Sequence, residues 1–273
     1  MPLNGLKIGC LGAGAMAEAL LTGLVKSGIP AGGLFASDIH RQRLEYLQKK
    51  LGVNPADDNR RLVEIADVVV LSVKPHIVSA VLAETGKLFR TGQTLISIAA
   101  GVPIKYIEGF LSEPVGIVRV MPNTPCLVGA GASALCAGRH AREEDLRRAK
   151  AIFSAVGRVA EVGEELLDAV TGLSGSGPAY MFMILDALTD AGLRAGLSRE
   201  VAFLLSAQTM LGAAKMALES GEHPARLKNL VTTPAGTAIE GIFALEEGGL
   251  RRTLMRAVSE AARRSSEISS RLS

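Results

Sequence analysis

The residues with the clearest chemical purpose stand near the N-terminus. Gly12-Ala13-Gly14-Ala15-Met16-Ala17 follows an apolar run, Leu6 to Leu11, and opens an amphipathic one. This is a G-x-G-x-x-A spacing between a strand and a helix, the phosphate-binding turn of dinucleotide enzymes. Gly12 permits the tight turn, Gly14 lets the backbone approach a pyrophosphate, and Ala17 lets the helix pack closely on the sheet. Ala15 and Met16 then lie at the helix N-terminus, where unpaired amides and a partial positive charge attract phosphate. Asp38 follows Ala17 by 38 − 17 = 21 positions, near the ~20 expected of an acid that holds a ribose hydroxyl. Ser37, Arg41 and Arg43 beside it would instead favour a 2′-phosphate. An acid repels that phosphate, so these residues leave NAD and NADP both open. A structural alternative has Asp38 capping the next helix and both arginines in solvent.

Other chemistries fit poorly. His40, His76, His140 and His223 pair with no acid at a spacing that suggests a general base or a metal site. His40 and His140 lie in polar turns and read as solvated. Gly175-Ser176-Gly177 lacks the spacing of a nucleophile elbow, and no strand precedes it. Cys10, Cys126 and Cys136 fit neither a disulfide framework nor a zinc site, which points to a reducing cytoplasm. The net charge, 30 − 27 = +3, is too mild for a nucleic-acid surface. Aromatic residues at 4% leave no stacking platform for single strands. The N-terminus, from Met1 and Pro2 onward, reads without a signal peptide. Residues 120–138 are charge-free and long enough to suggest a membrane span. Pro122 and Pro125 would leave backbone groups unpaired in lipid, so no span is expected there.

Elements must hold the glycine turn in place. Strands are expected at residues 6–11, 34–37, 67–73, 94–98 and 116–120, alternating with helices at 16–27, 41–51 and 59–66, the last capped by Asn59. The run from Asp67 to Val73 is apolar almost throughout, as a parallel strand covered on both faces should be. This alternation predicts an α/β, doubly wound sheet over residues 1–162. From about Glu164 the β-runs vanish. Helices are expected at 178–195, 198–220, 224–230 and 249–272, giving an all-helical domain over residues 163–273. The helix from Ser198 is apolar on nearly all sides, so it must be covered all round. Some 110 residues scarcely suffice for that, which predicts a homodimer with interlocked helices.

The helical half also carries the thirteen-residue run from Asp168 through Thr171-Gly172-Leu173-Ser174-Gly175-Ser176-Gly177-Pro178 to Tyr180. Four further segments accompany it: Val73-Lys74-Pro75-His76, Ala99-Ala100-Gly101-Val102, Met121-Pro122-Asn123-Thr124-Pro125, and Val231-Thr232-Thr233-Pro234-Ala235-Gly236-Thr237. With the glycine turn, this set closely resembles pyrroline-5-carboxylate reductase, from about Lys7 to Ser266.

The resemblance implies reduction of Δ1-pyrroline-5-carboxylate to L-proline with NADPH or NADH. It implies a Rossmann domain followed by a helical dimerisation domain, with dimers often built into decamers. It also implies roles. Ser174 and Ser176 would be catalytic hydroxyls, flanked by Gly175 and Gly177 at the substrate. Thr233, Gly236 and the catalytic Thr237 would cradle the substrate carboxylate. Asn123 would lie at the substrate and nicotinamide, beside Ala99, Ala100 and Gly101. Asn59 would lie near the adenosine ribose or its phosphate, and Val73, Lys74 and Pro75 under the adenosine and pyrophosphate. The chain departs from the pattern at Ala238, where the family has a second threonine, so one expected hydroxyl is missing. Two rivals accompany this reading. One is another small imine or β-hydroxy-acid reductase on the same plan. The other is a dinucleotide-binding protein without turnover.

Overall fold

The computed structural model describes residues 3–270. Its first unit is built of β1 (Ile8–Leu11), α1 (Ala15–Lys26), β2 (Leu34–Ser37), α2 (Arg41–Leu51), β3 (Asn54–Pro55), α3 (Asn59–Ile65), β4 (Val68–Leu71), α4 (Val78–Thr85), β5 (Thr94–Ser97), α5 (Ile104–Glu108), β6 (Gly116–Met121), β7 (Gly131–Ala137), α6 (Glu143–Ser154) and β8 (Gly157–Glu161). A short α7 (Leu167–Val170) runs into a π-helical turn at Thr171–Gly175. Four longer elements and one short one follow: α8 (Gly177–Arg194), α9 (Arg199–Ser220), α10 (Pro224–Leu230), α11 (Thr237–Glu247) and α12 (Leu250–Ser269). The expected end of the last helix at Leu272 lies outside the described residues, as do Met1 and Pro2.

The strands form one eight-stranded sheet in the order β3-β2-β1-β4-β5-β6-β7-β8. Every pairing is parallel except β6 with β7. β1, β4 and β5 are buried along their whole length, because helices cover both faces of the sheet. One apolar core, with Leu20, Leu24 and Phe153, lies under α1 and α6. The other, with Leu62, Leu82 and Ile107, lies under α3, α4 and α5. β1 pairs with β2 on one side and β4 on the other, so the strand order reverses there. Ligands of doubly wound sheets bind at the carboxyl ends of the strands at such a point.

A polar post ties the far end of the sheet. Asp145, fully buried, accepts from the Arg142 amide at 2.8 Å and from Thr94 Oγ1 at 2.5 Å. Burial alone would raise its pKa. The hydrogen bonds from Thr94 and Arg142 outweigh that and hold it below the usual carboxylate range. Gly116 must be glycine, since a Cβ there would strike the Asp145 carboxylate.

Several expectations change. β3, β7 and β8 were not expected. β7 reads Gly-Ala-Ser-Ala-Leu-Cys-Ala, with no β-branched or aromatic residue to mark it. Residues 120–138 therefore fold as the end of β6, a 3-10 turn at Thr124–Val128, and β7. Asn59 is the first residue of α3, and its cap is Asp58, which accepts from the Arg61 amide at 2.7 Å. α11 was not expected either.

By packing, one compact unit runs to Ser176 and resumes at Glu260, and the other is Gly177–Ser259. Residues 163–176 are helical in character but belong with the sheet: Leu167 is buried in its second core, and Glu164 accepts from Arg119 Nη1 at 2.9 Å and from the Ile104 amide at 2.8 Å. The last turns of α12 join them through Ser265 Oγ, which donates to Asp168 at 2.6 Å.

In the second unit α8 packs on α9. Gly192 makes this possible, since a Cβ there would approach the Ala202 Cβ to 2.7 Å. Of the α9 residues only Ala202 is buried. Phe203, Leu204, Leu205, Leu211, Met216 and Leu218 are exposed in the single chain.

Candidate functional site

The glycine turn is pinned from four directions. The Gly12 amide donates to the Ser37 carbonyl at 2.9 Å, and the Ala13 amide to Asp38 Oδ2 at 2.8 Å. Ser72 Oγ lies 2.7 Å from the Gly12 carbonyl and 2.9 Å from that of Leu11. Arg43 Nε donates to the Ala13 carbonyl at 2.6 Å. Gly12 has φ +94°, and a Cβ there would press on Val73 and the Ser72 carbonyl at 3.0–3.1 Å. Gly14 is different. A Cβ there would meet no protein atom within 4 Å, so the fold itself does not require glycine. What it preserves is open space in front of α1, whose N-cap makes no side-chain hydrogen bond.

That space is a cleft of about 650 Å³ at the carboxyl ends of β1, β2 and β4. It is lined by Gly12, Gly14, Ala15, Met16, Ser37, Asp38, Asn59, Val73, Lys74, Pro75, Ala99 and Ala100, all of them candidates from sequence. Four candidates do not line it, Arg43 among them. Arg41 is 92% exposed in its side chain and pairs with Glu45 one turn on. Gly101 has φ +74° and faces Ile268 of α12, which a Cβ would approach to 3.2 Å. Asn123 is drawn elsewhere, as described below. The cleft also takes residues that sequence reasoning missed: Ile39, His40, Ser72, Ile77, Val81, Ile98, Thr124 and Leu127. A signal existed for Ser72, a lone hydroxyl at the end of an apolar strand. Ile39, 92% exposed between two polar residues, offered another.

Asp38 is turned inward. Its Oδ2 braces Ala13, and its Oδ1 accepts from the His40 amide at 2.9 Å and lies 3.0 Å from His40 Nδ1. Burial acts to raise its pKa, and the hydrogen bonds from the His40 amide, Ala13 and the His40 ring more than reverse this. His40 is therefore partnered, not merely solvated. Arg43 is occupied as well, because its guanidinium also pairs with Glu18.

An unbranched pyrophosphate passing an uncapped helix N-terminus, with polar groups at one end of the cleft and apolar residues along its wall, fits these residues. They would hold a dinucleotide. Among the described residues no group of three His, Cys, Asp or Glu is placed to bind a metal.

Comparison with known proteins agrees with this geometry. Residues 7–101 match a family model described as NADP oxidoreductase, coenzyme F420-dependent. Residues 164–268 match one described as pyrroline-5-carboxylate reductase dimerisation. The pyrroline-5-carboxylate reductase of Methanosarcina acetivorans is 48% identical over 96% of this chain and 97% of its own length. The chain belongs to the pyrroline-5-carboxylate reductase family. The Arabidopsis thaliana member is 42% identical over 98% of both chains. The solved Coxiella burnetii reductase superposes with a TM-score of 0.94 at 39% identity, covering 97% of this chain and 99% of that one. The Plasmodium falciparum enzyme, solved with NADP bound, gives 0.85 at 33% identity over 97% and 98%. This family member is an NAD(P)H-dependent oxidoreductase, and the match to an NADP oxidoreductase model supports NADP(H) use.

The reductase's serine segment is held by Asn123. Asn123 Nδ2 donates to the Ser174 carbonyl at 3.0 Å, and its Oδ1 accepts from the Ala132 amide at 2.9 Å. Both ends of the side chain are thus committed to fastening the π-helical turn to β7. Ser174 Oγ donates back to the Val170 carbonyl at 3.1 Å. The Ser176 amide closes the turn on Thr171 at 2.8 Å. Gly175 lies where a Cβ would approach Met121 Cε to 2.7 Å. Gly177 begins α8.

In the second unit Thr233 to Gly236 form a β-turn, with the Gly236 amide donating to the Thr233 carbonyl at 3.0 Å. Pro234 takes its second position, and Ala235 takes φ +54° at its third, the sense that usually selects glycine. Gly236 is the N-cap of α11 with no side-chain hydrogen bond, and Thr237 is the first helical residue. Ala238 supplies no hydroxyl at the next position.

Proposed function

We propose that this chain reduces Δ1-pyrroline-5-carboxylate to L-proline with NADPH, taking up one proton. The observation that carries the reading is Gly14, kept open at the switch-point cleft of a chain that also holds the complete Asp168–Tyr180 segment. When bound, the nicotinamide supplies the hydride that reaches the imine carbon, while the ring nitrogen carries the proton. A cyclic imine is readily protonated, so the protein's task is to bind, orient and exclude water.

The roles divide accordingly. Gly12, Gly14, Ala15 and Met16 take the pyrophosphate. Ala99 and Ala100 line the nicotinamide end. Ser176 offers its hydroxyl to the substrate, while Ser174, bonded back to Val170, contributes its position. The turn at Thr233–Gly236 and the N-terminus of α11 take the carboxylate. Thr237 provides the hydroxyl there, since Ala238 does not. The protein acts as a homodimer through the exposed faces of α8 and α9, with decamers as the larger assembly. It works in the cytoplasm, where its three buried cysteines stay reduced.

Purified protein given NADPH and pyrroline-5-carboxylate should oxidise NADPH and yield proline in equal amounts. NADPH binding without any proline formed would overturn the proposal.

A further inference from the structure

An acid at the end of β2 and a phosphate on the ribose repel each other, yet both belong to this cleft. The geometry points to His40, held by Asp38, as the residue that selects the 2′-phosphate of NADPH. The inference rests on the dinucleotide cleft described above and adds a selector to it.

Most of the other polar groups at the end of β2 are engaged, and Gln42, which lines the hollow with His40, carries no charge. Ser37, 2% exposed, donates through Oγ to Asn59 Oδ1 at 2.8 Å. Asn59 donates through Nδ2 to Glu84 at 3.1 Å. Arg41 pairs with Glu45 and does not line the cleft. Arg43 is held by the Ala13 carbonyl and Glu18. Lys74 lines the cleft but follows β4, not β2. His40 lines both the cleft and the smaller hollow beside it, and its side chain is 76% exposed.

Its ring is already oriented. Nδ1 lies 3.0 Å from Asp38 Oδ1, which leaves Nε2 for a ligand. With both protons the imidazolium donates from both nitrogens, one to Asp38 and one to a phosphate oxygen. A charge-assisted hydrogen bond of this kind is among the stronger ones. In that doubly protonated form the ring would also offset the carboxylate that otherwise repels the phosphate. Asp38 thus acts as a positioning residue. It braces Ala13 with one oxygen and aims His40 with the other.

The test compares 2′,5′-ADP with 5′-AMP, which differ only in the 2′-phosphate, by calorimetric titration of the intact protein. Wild type should bind 2′,5′-ADP more tightly. His40→Ala should lose about tenfold in affinity for 2′,5′-ADP and stay within about twofold for 5′-AMP. His40→Arg, which keeps a cation, should restore most of the preference. Equal weakening of both nucleotides would make His40 structural and overturn the inference, as would an unchanged preference. Wild type that binds neither nucleotide would overturn the cleft assignment itself.

Discussion

Glu18 reaches the glycine turn through one intermediary. It pairs with Arg43, whose Nε holds the Ala13 carbonyl, and it also accepts from Lys50 at 2.7 Å and Tyr46 at 3.0 Å. Partial burial acts to raise its pKa. The bonds from Lys50, Arg43 and Tyr46 together overcome this and bring it down to about 2. A carboxylate with a lowered folded pKa stabilises the fold above its unfolded pKa, near 4.5 here. That contribution is lost as pH falls toward 2. Lys50 is half exposed, so solvent screening reduces the effect, and roughly 1–2 kcal/mol is expected. Glu18→Gln should therefore lower the melting temperature at pH 7 and flatten its fall between about pH 4.5 and 2. Thermal melts across that range decide it, and parallel curves for the two proteins would contradict the assignment. At this scale the glycines were legible because their spacing between a strand and a helix has one common use. The engagement of Asp38, Arg43 and His40 was not. It depends on which way side chains turn at the sheet's edge, and spacing does not record that.

The π-helical turn at Thr171–Gly175 carries Ser174, and Asn123 is its fastening. Asn123→Ala leaves the Ala132 amide and the Ser174 carbonyl without partners, at a cost of about 1–3 kcal/mol. We expect kcat to fall more than the NADPH KM rises, because the side chain holds the serine segment and does not line the cleft. An NADPH KM that rises while kcat stays unchanged would place Asn123 at the cofactor instead. Asn123 between two prolines was conspicuous in sequence as a site residue, but its action through Ser174 appears only when β7 and the turn are seen together. β7 itself was invisible for a compositional reason, being alanine, serine and glycine where strands usually carry branched side chains. The turn at Ala235 shows the converse. Its sequence reads as a plain turn, and only the positive φ marks a non-glycine residue in a conformation costing roughly 1 kcal/mol.

At the scale of the whole molecule the two grammars were legible, strands with helices first and helices alone afterwards. The point of division was less so. Residues 163–176 read as helical, yet Leu167 and Glu164 join the sheet's own packing, and so do the last turns of α12. α9 carried the clearest expectation. It is apolar on nearly all sides and long enough to cross a bilayer by length and composition, but it lies within the segment matched to a dimerisation model. Light scattering should give at least twice the 28.5 kDa of one chain. Leu204→Glu with Leu205→Glu should shift the protein toward single chains and lower its melting temperature. A double variant with unchanged mass would move the interface off this face of α9.

The central claim is hydride transfer to the imine carbon of a bound pyrroline ring. NADPH deuterated at the transferring C4 position, supplied with unlabelled pyrroline-5-carboxylate, tests it most directly. The account predicts proline one mass unit heavier, with the deuterium on the former imine carbon. Unlabelled proline, or NADPH consumed with no proline formed, would contradict it.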